Sequence, residues 1–344
     1  MGTVNRTEFR AFDGPRSDGE NTGQQPHGQQ RSGPVQPGRE KTRRLWRLLR
    51  DMAVRRFTWS QWRPLVTMDA CIAPDWSNLS VLQPPDRRSW ADPFPVRRDH
   101  TWNLFVEEKL PGAPGHIAVL ELDATLQLRR TQPVLRQPFH LSYPFLLEHD
   151  GGLYMIPEAG ASGRIDAYRC ERFPDQWRPH ATLMDNVRAS DPTLCAYAGR
   201  WWLFVTMGAH LPATGASGHG PPGTSASPDT REHLYLFYSD SPFSPTWTPH
   251  PMNPVVEDRR CARPAGNLYT MDGALYRPAQ DCTRRYGYAI RIQRVTCLNT
   301  REYVEEEATC ILPRRGHARA IHTFNQQPGL IVVDAKRRRP RLCG

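Results

Sequence analysis

Five times along this chain one short phrase returns, and no other feature restricts its possible folds so tightly. The first copy opens Trp90-Ala91-Asp92-Pro93-Phe94 and runs on to Trp102-Asn103-Leu104-Phe105-Val106-Glu107-Glu108. The second opens Ser142-Tyr143-Pro144-Phe145 and reaches Ile156-Pro157-Glu158; the third opens Ser190-Asp191-Pro192-Thr193 and reaches Trp201-Trp202-Leu203-Phe204. The fourth opens Ala262-Arg263-Pro264-Ala265-Gly266 and reaches Tyr276-Arg277-Pro278. A weaker fifth begins Ala320-Ile321-His322-Thr323-Phe324 and ends at Asp334.

Pro93 and Pro144 are 51 residues apart, and Pro144 and Pro192 are 48 apart. Pro192 to Pro264 is 72, but a Gly/Pro/Ser/Thr-rich stretch at 208–231 interrupts it, and its 24 residues account for the excess over 48. A period of roughly 40–50 residues made of short strands predicts a β-propeller with one blade per repeat. Asp150-Gly151 and Asp272-Gly273 read as hairpin turns between the first two strands of a blade. The third strands alternate in character, as in His116-Ile117-Ala118-Val119-Leu120-Glu121-Leu122 and Tyr288-Ala289-Ile290-Arg291-Ile292, which argues for β structure with distinct faces. A β-sandwich alternates too, but it does not predict a fixed period. The expected fold is therefore all-β, a five-bladed propeller.

The fifth repeat ends too early to supply its own outer strands. Residues 65–72 and 78–82, upstream of the first repeat, are expected to complete that blade and close the ring, leaving no sheet edge unpaired. The organisation expected is a disordered tail at 1–40, a basic helix or linker at 41–64, the propeller at 65–335 and a basic tail at 336–344. The helix reading rests on Leu45, Leu48, Leu49 and Ala53 falling on one face among arginines. Such a helix can lie weakly on a membrane surface (residues 40–56) or dock on a partner.

The formal charge of +10 belongs to the ends of the chain. Residues 1–64 carry 13 Lys/Arg against 6 Asp/Glu and residues 335–344 add five cations, so the repeats between sum to about −2. Nothing matches a nucleic-acid-binding fold, and no specific nucleic-acid partner is expected. There is no apolar run of membrane-spanning length and no signal-peptide pattern, so the expected location is the cytoplasm, at most peripheral to the inner membrane face. The eight cysteines form no CxxC pair and no Cys/His cluster of zinc spacing, so reduced thiols, no metal and no cofactor are expected.

The first strand of each propeller blade lines the central channel. Asp92, Tyr143 (with His140 just before it), Asp191, Arg263 and His322 should therefore converge although they are about 50 residues apart. The second strands add Glu107, Glu108, Glu158, Gln280 and Asp281, and Trp90, Trp201, Trp202, Tyr154 and Tyr276 offer rings. Polar side chains at such an interior position need partners or a ligand. Carboxylates for hydroxyls and rings for C–H faces suit a sugar-binding funnel. The plainer alternative is that Asp92 and Asp191, each before proline, form turns. Trp201 and Trp202 point to opposite faces of a strand, so at least one packs.

The phrases Ala91-Asp92-Pro93-Phe94, His140-Leu141-Ser142-Tyr143-Pro144-Phe145, Ile156-Pro157-Glu158, Ser190-Asp191-Pro192-Thr193, Arg263-Pro264-Ala265-Gly266 and Tyr276-Arg277-Pro278-Ala279-Gln280-Asp281 resemble the N-terminal domain of plant glucosamine inositolphosphorylceramide transferases, over about residues 62–338. In those proteins a separate C-terminal domain is expected to perform the transfer, so the resemblance implies a propeller working beside a glycosyltransferase. More distantly the chain resembles the five-bladed furanosidases, such as glycoside hydrolase family 43 and the invertase-like enzymes. That likeness implies Asp92 as base or nucleophile, Asp191 as a pKa-tuning and substrate-holding group, and a Glu general acid. The blade expected to supply the Glu has Arg263 at its head instead, so Glu158 is the candidate acid. His140, Tyr143, Trp90, Arg263, Tyr276, Gln280, Asp281 and His322 are the expected substrate-binding set. Three readings stand open: a glycan-processing hydrolase or transferase, a non-catalytic carbohydrate-recognition propeller partnering a glycosyltransferase, and a protein-interaction scaffold.

Overall fold

A computed structural model describes Trp46 and residues 58–68, 72, 74–207, 232–314 and 316–340. The tail expected at 1–40 and the insertion at 208–231 lie outside the described residues, as does the helix expected at 40–56 apart from the helical Trp46.

Two strands, β1 (Thr58–Thr67) and β2 (Ser80–Val81), precede the first repeat. Blade one is β3 (Ser89–Arg98), β4 (Thr101–Lys109), β5 (His116–Leu122) and β6 (Leu128–Leu135). Blade two is β7 (Ser142–His149), β8 (Gly152–Glu158), β9 (Arg164–Arg172) and β10 (Gln176–Asp185). Blade three is β11 (Ala189–Tyr197), β12 (Arg200–Met207) and β13 (His233–Ser239), with two short outer pieces, β14 (Thr248–Pro249) and β15 (Val256–Glu257), both paired to β13. In blade four, β16 (Arg263–Pro264) and β17 (Tyr269–Met271) both pair with β18 (Ala274–Asp281), followed by β19 (Ala289–Leu298) and β20 (Tyr303–Ile311). Blade five joins β21 (Phe324–Gln327) and β22 (Leu330–Pro340) to the two N-terminal strands in the order β2-β1-β22-β21. Strands from the two ends of the repeat region thus share one sheet and close the ring.

The hairpins follow from local chemistry. Asp150-Gly151 and Asp272-Gly273 both have positive φ at the two loop positions, the conformation that suits the right-handed twist of the flanking strands. Ala198-Gly199 does the same in blade three.

Alternation proved a poor guide to exposure. β5 is buried at six of its seven positions, on both faces, because each blade is sandwiched between two others. Five hydrophobic clusters fill the five seams. Phe105, Ile117 and Val119 meet Met155 and Tyr168 between blades one and two. Ile156 and Ile165 meet Leu203 and Tyr235 between two and three. Phe204 and Leu236 meet Leu275 and Tyr303 between three and four. Ile290 and Ile292 meet Ile331 and Val333 between four and five. Leu330 and Val332 meet Leu104 and Leu120 between five and one. Successive residues of β22 therefore serve opposite seams, as the two-residue period of a strand requires.

Strand structure begins before residue 65 and continues past 335. Thr58 pairs with Pro340 and Trp62 with Lys336, so residues expected to be linker and basic tail form a ribbon continuous with blade five. Lys336–Arg339 fall in the expected basic tail because composition alone does not reveal a pairing partner almost 280 residues away.

Candidate functional site

The first strands of blades one to three carry the same irregularity. Register shifts fall between Ala91 and Phe94, between Ser142 and Phe145, and between Ser190 and Thr193. Within them Asp92, Tyr143 and Asp191 have φ of +50°, +45° and +53°. Left-handed backbone at a non-glycine residue costs on the order of 1–3 kcal/mol and persists where its surroundings over-determine it. Here each turned-in N–H finds a carboxylate of a neighbouring blade. Asp92 N donates to Asp334 Oδ2 (3.2 Å), Tyr143 N to Asp92 Oδ2 (3.2 Å) and Asp191 N to Glu158 Oε2 (3.1 Å). Arg263 Nε continues the series by donating to Asp191 Oδ2 at 2.5 Å. Each bond crosses from one blade to the next, so the acidic residues both latch the ring and gather at its axis.

Asp92, Glu107, His140, Ser142, Glu158, Asp191, Arg263, Tyr286, His322 and Trp62 line a single cavity of about 1170 Å³. The five residues on which the axial reading rested, Asp92, Glu158, Asp191, Arg263 and His322, are therefore brought together from all five blades.

The acids are individually tuned. Asp92 accepts Thr323 Oγ1 at 2.7 Å and lies 3.7 Å from His322 Nε2; burial nevertheless raises its pKa, with Asp334 and Asp191 adding repulsion. Burial, then the neighbouring Asp191, holds Glu158 well above the usual carboxylate range even though Arg263 Nη2 lies 3.5 Å away. Glu107 is pushed up to about 8, by burial first and by Asp92 second. His140 Nδ1 accepts Gly115 N (2.9 Å), so neutral His140 carries its proton on Nε2, 3.4 Å from Glu107 Oε1. Burial and then Lys109 lower the pKa of His140, which favours that neutral form.

The cations are held by these acids. Burial opposes the charge on Arg263, but Asp191 and Glu158 more than offset it. His322 is also buried, yet Asp334 and Asp92 push its pKa up to about 9. His322 Nδ1 is hydrogen-bonded to Asp334, and its ring stacks on Trp62 at 4.0 Å and 8°. Asp92, His322 and Asp334 each offer a ligand atom within 4.8 Å of the others. With an imidazolium bridging two carboxylates, that trio is already charge-paired, an arrangement that does not favour a cation.

Several expected contacts are corrected. Trp90 is fully buried, with Nε1 donating to Glu108 at 3.0 Å, and does not line the cavity. Tyr143 is equally buried: its hydroxyl bonds Thr193 Oγ1 (2.8 Å) and accepts Gly266 N (2.8 Å), tying blade two to blades three and four. Tyr276 stacks on Tyr269 beside the seam between blades four and five. Asp281 is buried against Arg291. Gln280 acts indirectly, donating to Asp191 Oδ2 at 2.9 Å. Trp90, Tyr143 and Tyr276 occupy seams because strands bury rings for packing as readily as for ligands. Sequence reasoning missed Trp62, Tyr286 and Asp334 and did not carry Glu107 into the final set. Asp334 ends the fifth phrase, which was the available signal. Trp62 had none, since it precedes every repeat.

A closed ring of five blades whose first strands converge on one charged, aromatic-walled axial cavity defines an axial-site propeller. Residues 86–326 match the family model described as glucosamine inositolphosphorylceramide transferase 1, N-terminal, and the chain belongs to that family. It is 33% identical over 221 residues to glucosamine inositolphosphorylceramide transferase 1 of Arabidopsis thaliana and 32% identical over 221 residues to that of Oryza sativa subsp. japonica. Those matches cover 63% and 62% of this chain but only 27% of either relative, so the chain spans about a quarter of their length. The catalytic domain of Coprinopsis cinerea GH62 alpha-L-arabinofuranosidase superposes with a TM-score of 0.50 at 14% identity, covering 77% of this chain and 83% of that one, which is a likeness of fold.

Proposed function

We propose that the axial cavity binds a sugar unit of a glycan or glycoconjugate. The observation that carries this reading is the convergence of Asp92, Glu107, Glu158, Asp191, Arg263 and His322 in one cavity walled by Trp62 and Tyr286. Buried carboxyls and a fixed guanidinium offer hydroxyl groups both donors and acceptors, and rings offer C–H faces a flat surface. The names of the relatives support a role beside a glycosyltransferase in making a polysaccharide or glycolipid. The scaffold reading finds less support, because rim-mediated docking needs no buried charge network at the axis.

Glycosidic-bond chemistry is the second reading, and one observation favours it: burial first and Asp191 second raise the pKa of Glu158 well above the usual carboxylate range, the direction a general acid needs. In that scheme Glu158 protonates the leaving oxygen and Asp92 activates water or attacks. Against it, Asp92 Oδ2 is engaged by Tyr143 N and Asp92 Oδ1 by Thr323.

A glycan array followed by calorimetry on the hits tests both. Asp92→Asn and Glu158→Gln should weaken binding of a hit at least about tenfold. Wild-type turnover that these substitutions abolish while binding survives would establish catalysis; binding without turnover would establish recognition. Hits that wild type does not turn over and that bind both variants as tightly as wild type would refute the axial site.

A further inference from the structure

The cavity holds two kinds of cation. Arg263 and His322 are locked to Asp191, Glu158, Asp334 and Asp92 on its inner wall. Arg87, Lys109 and Lys336 also line it, yet among the described residues no carboxylate lies within ion-pairing distance of any of them. The acid nearest in role, Asp86, also lines the cavity but faces Arg339 at 3.9 Å. Glu107, two residues from Lys109, holds its proton through neutral pH.

The fold lines these cations up. Lys336 on β22 pairs with Trp62 on β1, and its Nζ lies 5.4 Å from the centre of the Trp62 ring. Trp62 N donates to Ser89 Oγ at 2.7 Å, and Ser89 on β3 pairs with Lys109 on β4. Arg87 stands two residues before Ser89. A row running across four strands thus carries Lys336 at one end and Lys109 at the other, and Arg87 lines the same cavity. Burial lowers the pKa of Lys336, so its charge is held at a cost that no neighbouring anion offsets.

We propose that Arg87, Lys109 and Lys336 form an anion subsite for a compact oxyanion, phosphoryl or carboxylate, carried by the sugar whose hydroxyl groups meet the inner acids. This deepens the proposed function and rests on it. The division of charge orients the ligand: the inner cations are already matched by Asp191 and Asp334, and the unpaired cations at the outer wall are the ones left to attract an anion.

Calorimetry on the full chain at low salt, with glucose, glucose 1-phosphate, glucuronic acid and inorganic phosphate as probes, tests the subsite. A charged sugar should bind about tenfold more tightly than glucose, and Lys109→Gln/Lys336→Gln should erase that margin. Added salt should shrink it as well. Lys109 and Arg87 are exposed, so Lys109→Gln and Arg87→Gln singly keep the test valid if the double variant misfolds. The preferred charged sugar tells phosphoryl from carboxylate. Inorganic phosphate binding that depends on the lysines, with no sugar binding, would keep the subsite and overturn the sugar reading. Equal affinity for glucose and both charged sugars would overturn the subsite and leave the sugar reading intact. Failure of every anionic probe to bind would overturn the subsite.

Discussion

Glu107 and Glu158 line the same cavity but are held differently. Glu158 accepts Asp191 N and sits beside Arg263, whereas among the described residues Glu107 has only His140 within ion-pairing distance. Burial raises Glu107 to about 8, against 4.5 in an unfolded chain. The folded protein therefore binds the extra proton between those values, and the stabilisation it brings is complete below about pH 4.5 and lost as pH rises through 8. Glu107→Gln should match wild type in stability at pH 4 and exceed it at pH 9, by up to about 5 kcal/mol; parallel curves across this range would contradict the assignment. Arg263 supplies the opposite case. Arg263→Met would leave Asp191 and Glu158 buried without their cation, and urea denaturation should show a loss of about 3–5 kcal/mol. A loss below about 1 kcal/mol would mean that the pair is more open to water than its geometry indicates.

The bulged first strand is the element that converts repetition into a site. Its Asp-Pro or Tyr-Pro step turns one N–H toward a carboxylate of the preceding blade, and the side chain at that position is free to differ between repeats. This explains how Asp92, Asp191, Arg263 and His322 were legible from spacing alone, whereas the partners that fix them were not. Trp62 lies on a strand that joins the last blade, and Tyr286 sits in the loop between β18 and β19; neither belongs to the repeated phrase. Trp90, Tyr143 and Tyr276 carried the right composition for a ligand wall but face seams, because alternation assigns a side chain to a face without saying what covers that face. Gly266 shows how tight the fourth blade head is. It has φ of +140°, and a Cβ there would stand 2.0 Å from the backbone oxygen of Phe324. Gly266→Ala should therefore cost more than about 2 kcal/mol in urea denaturation, and a variant within about 0.5 kcal/mol of wild type would show that blades four and five can part.

Ring closure governs the molecule as a whole. Five seams bury the strand faces, and the one between blades five and one depends on β1 and β22 sharing a sheet. The period of the sequence announced the number of blades, and the short fifth repeat announced that the N-terminal region must complete it. The length of the β1–β22 ribbon could not be read, because its two strands are unrelated in composition. Deleting residues 58–82 would strip two of four strands from blade five and expose both β22 and one face of blade one. Such a protein should show no cooperative thermal transition; a melting curve like that of wild type would mean that four blades and a remnant suffice. The account's central claim is that distant residues from all five blades act on one ligand in one cavity. Its most direct test is chemical-shift mapping with a glycan hit. The Trp62 indole N–H and the backbone amides of Asp92, Tyr143, Asp191, Arg263 and His322 should shift together at a common affinity. Shifts confined to the outer strands, with those six signals unmoved, would contradict it.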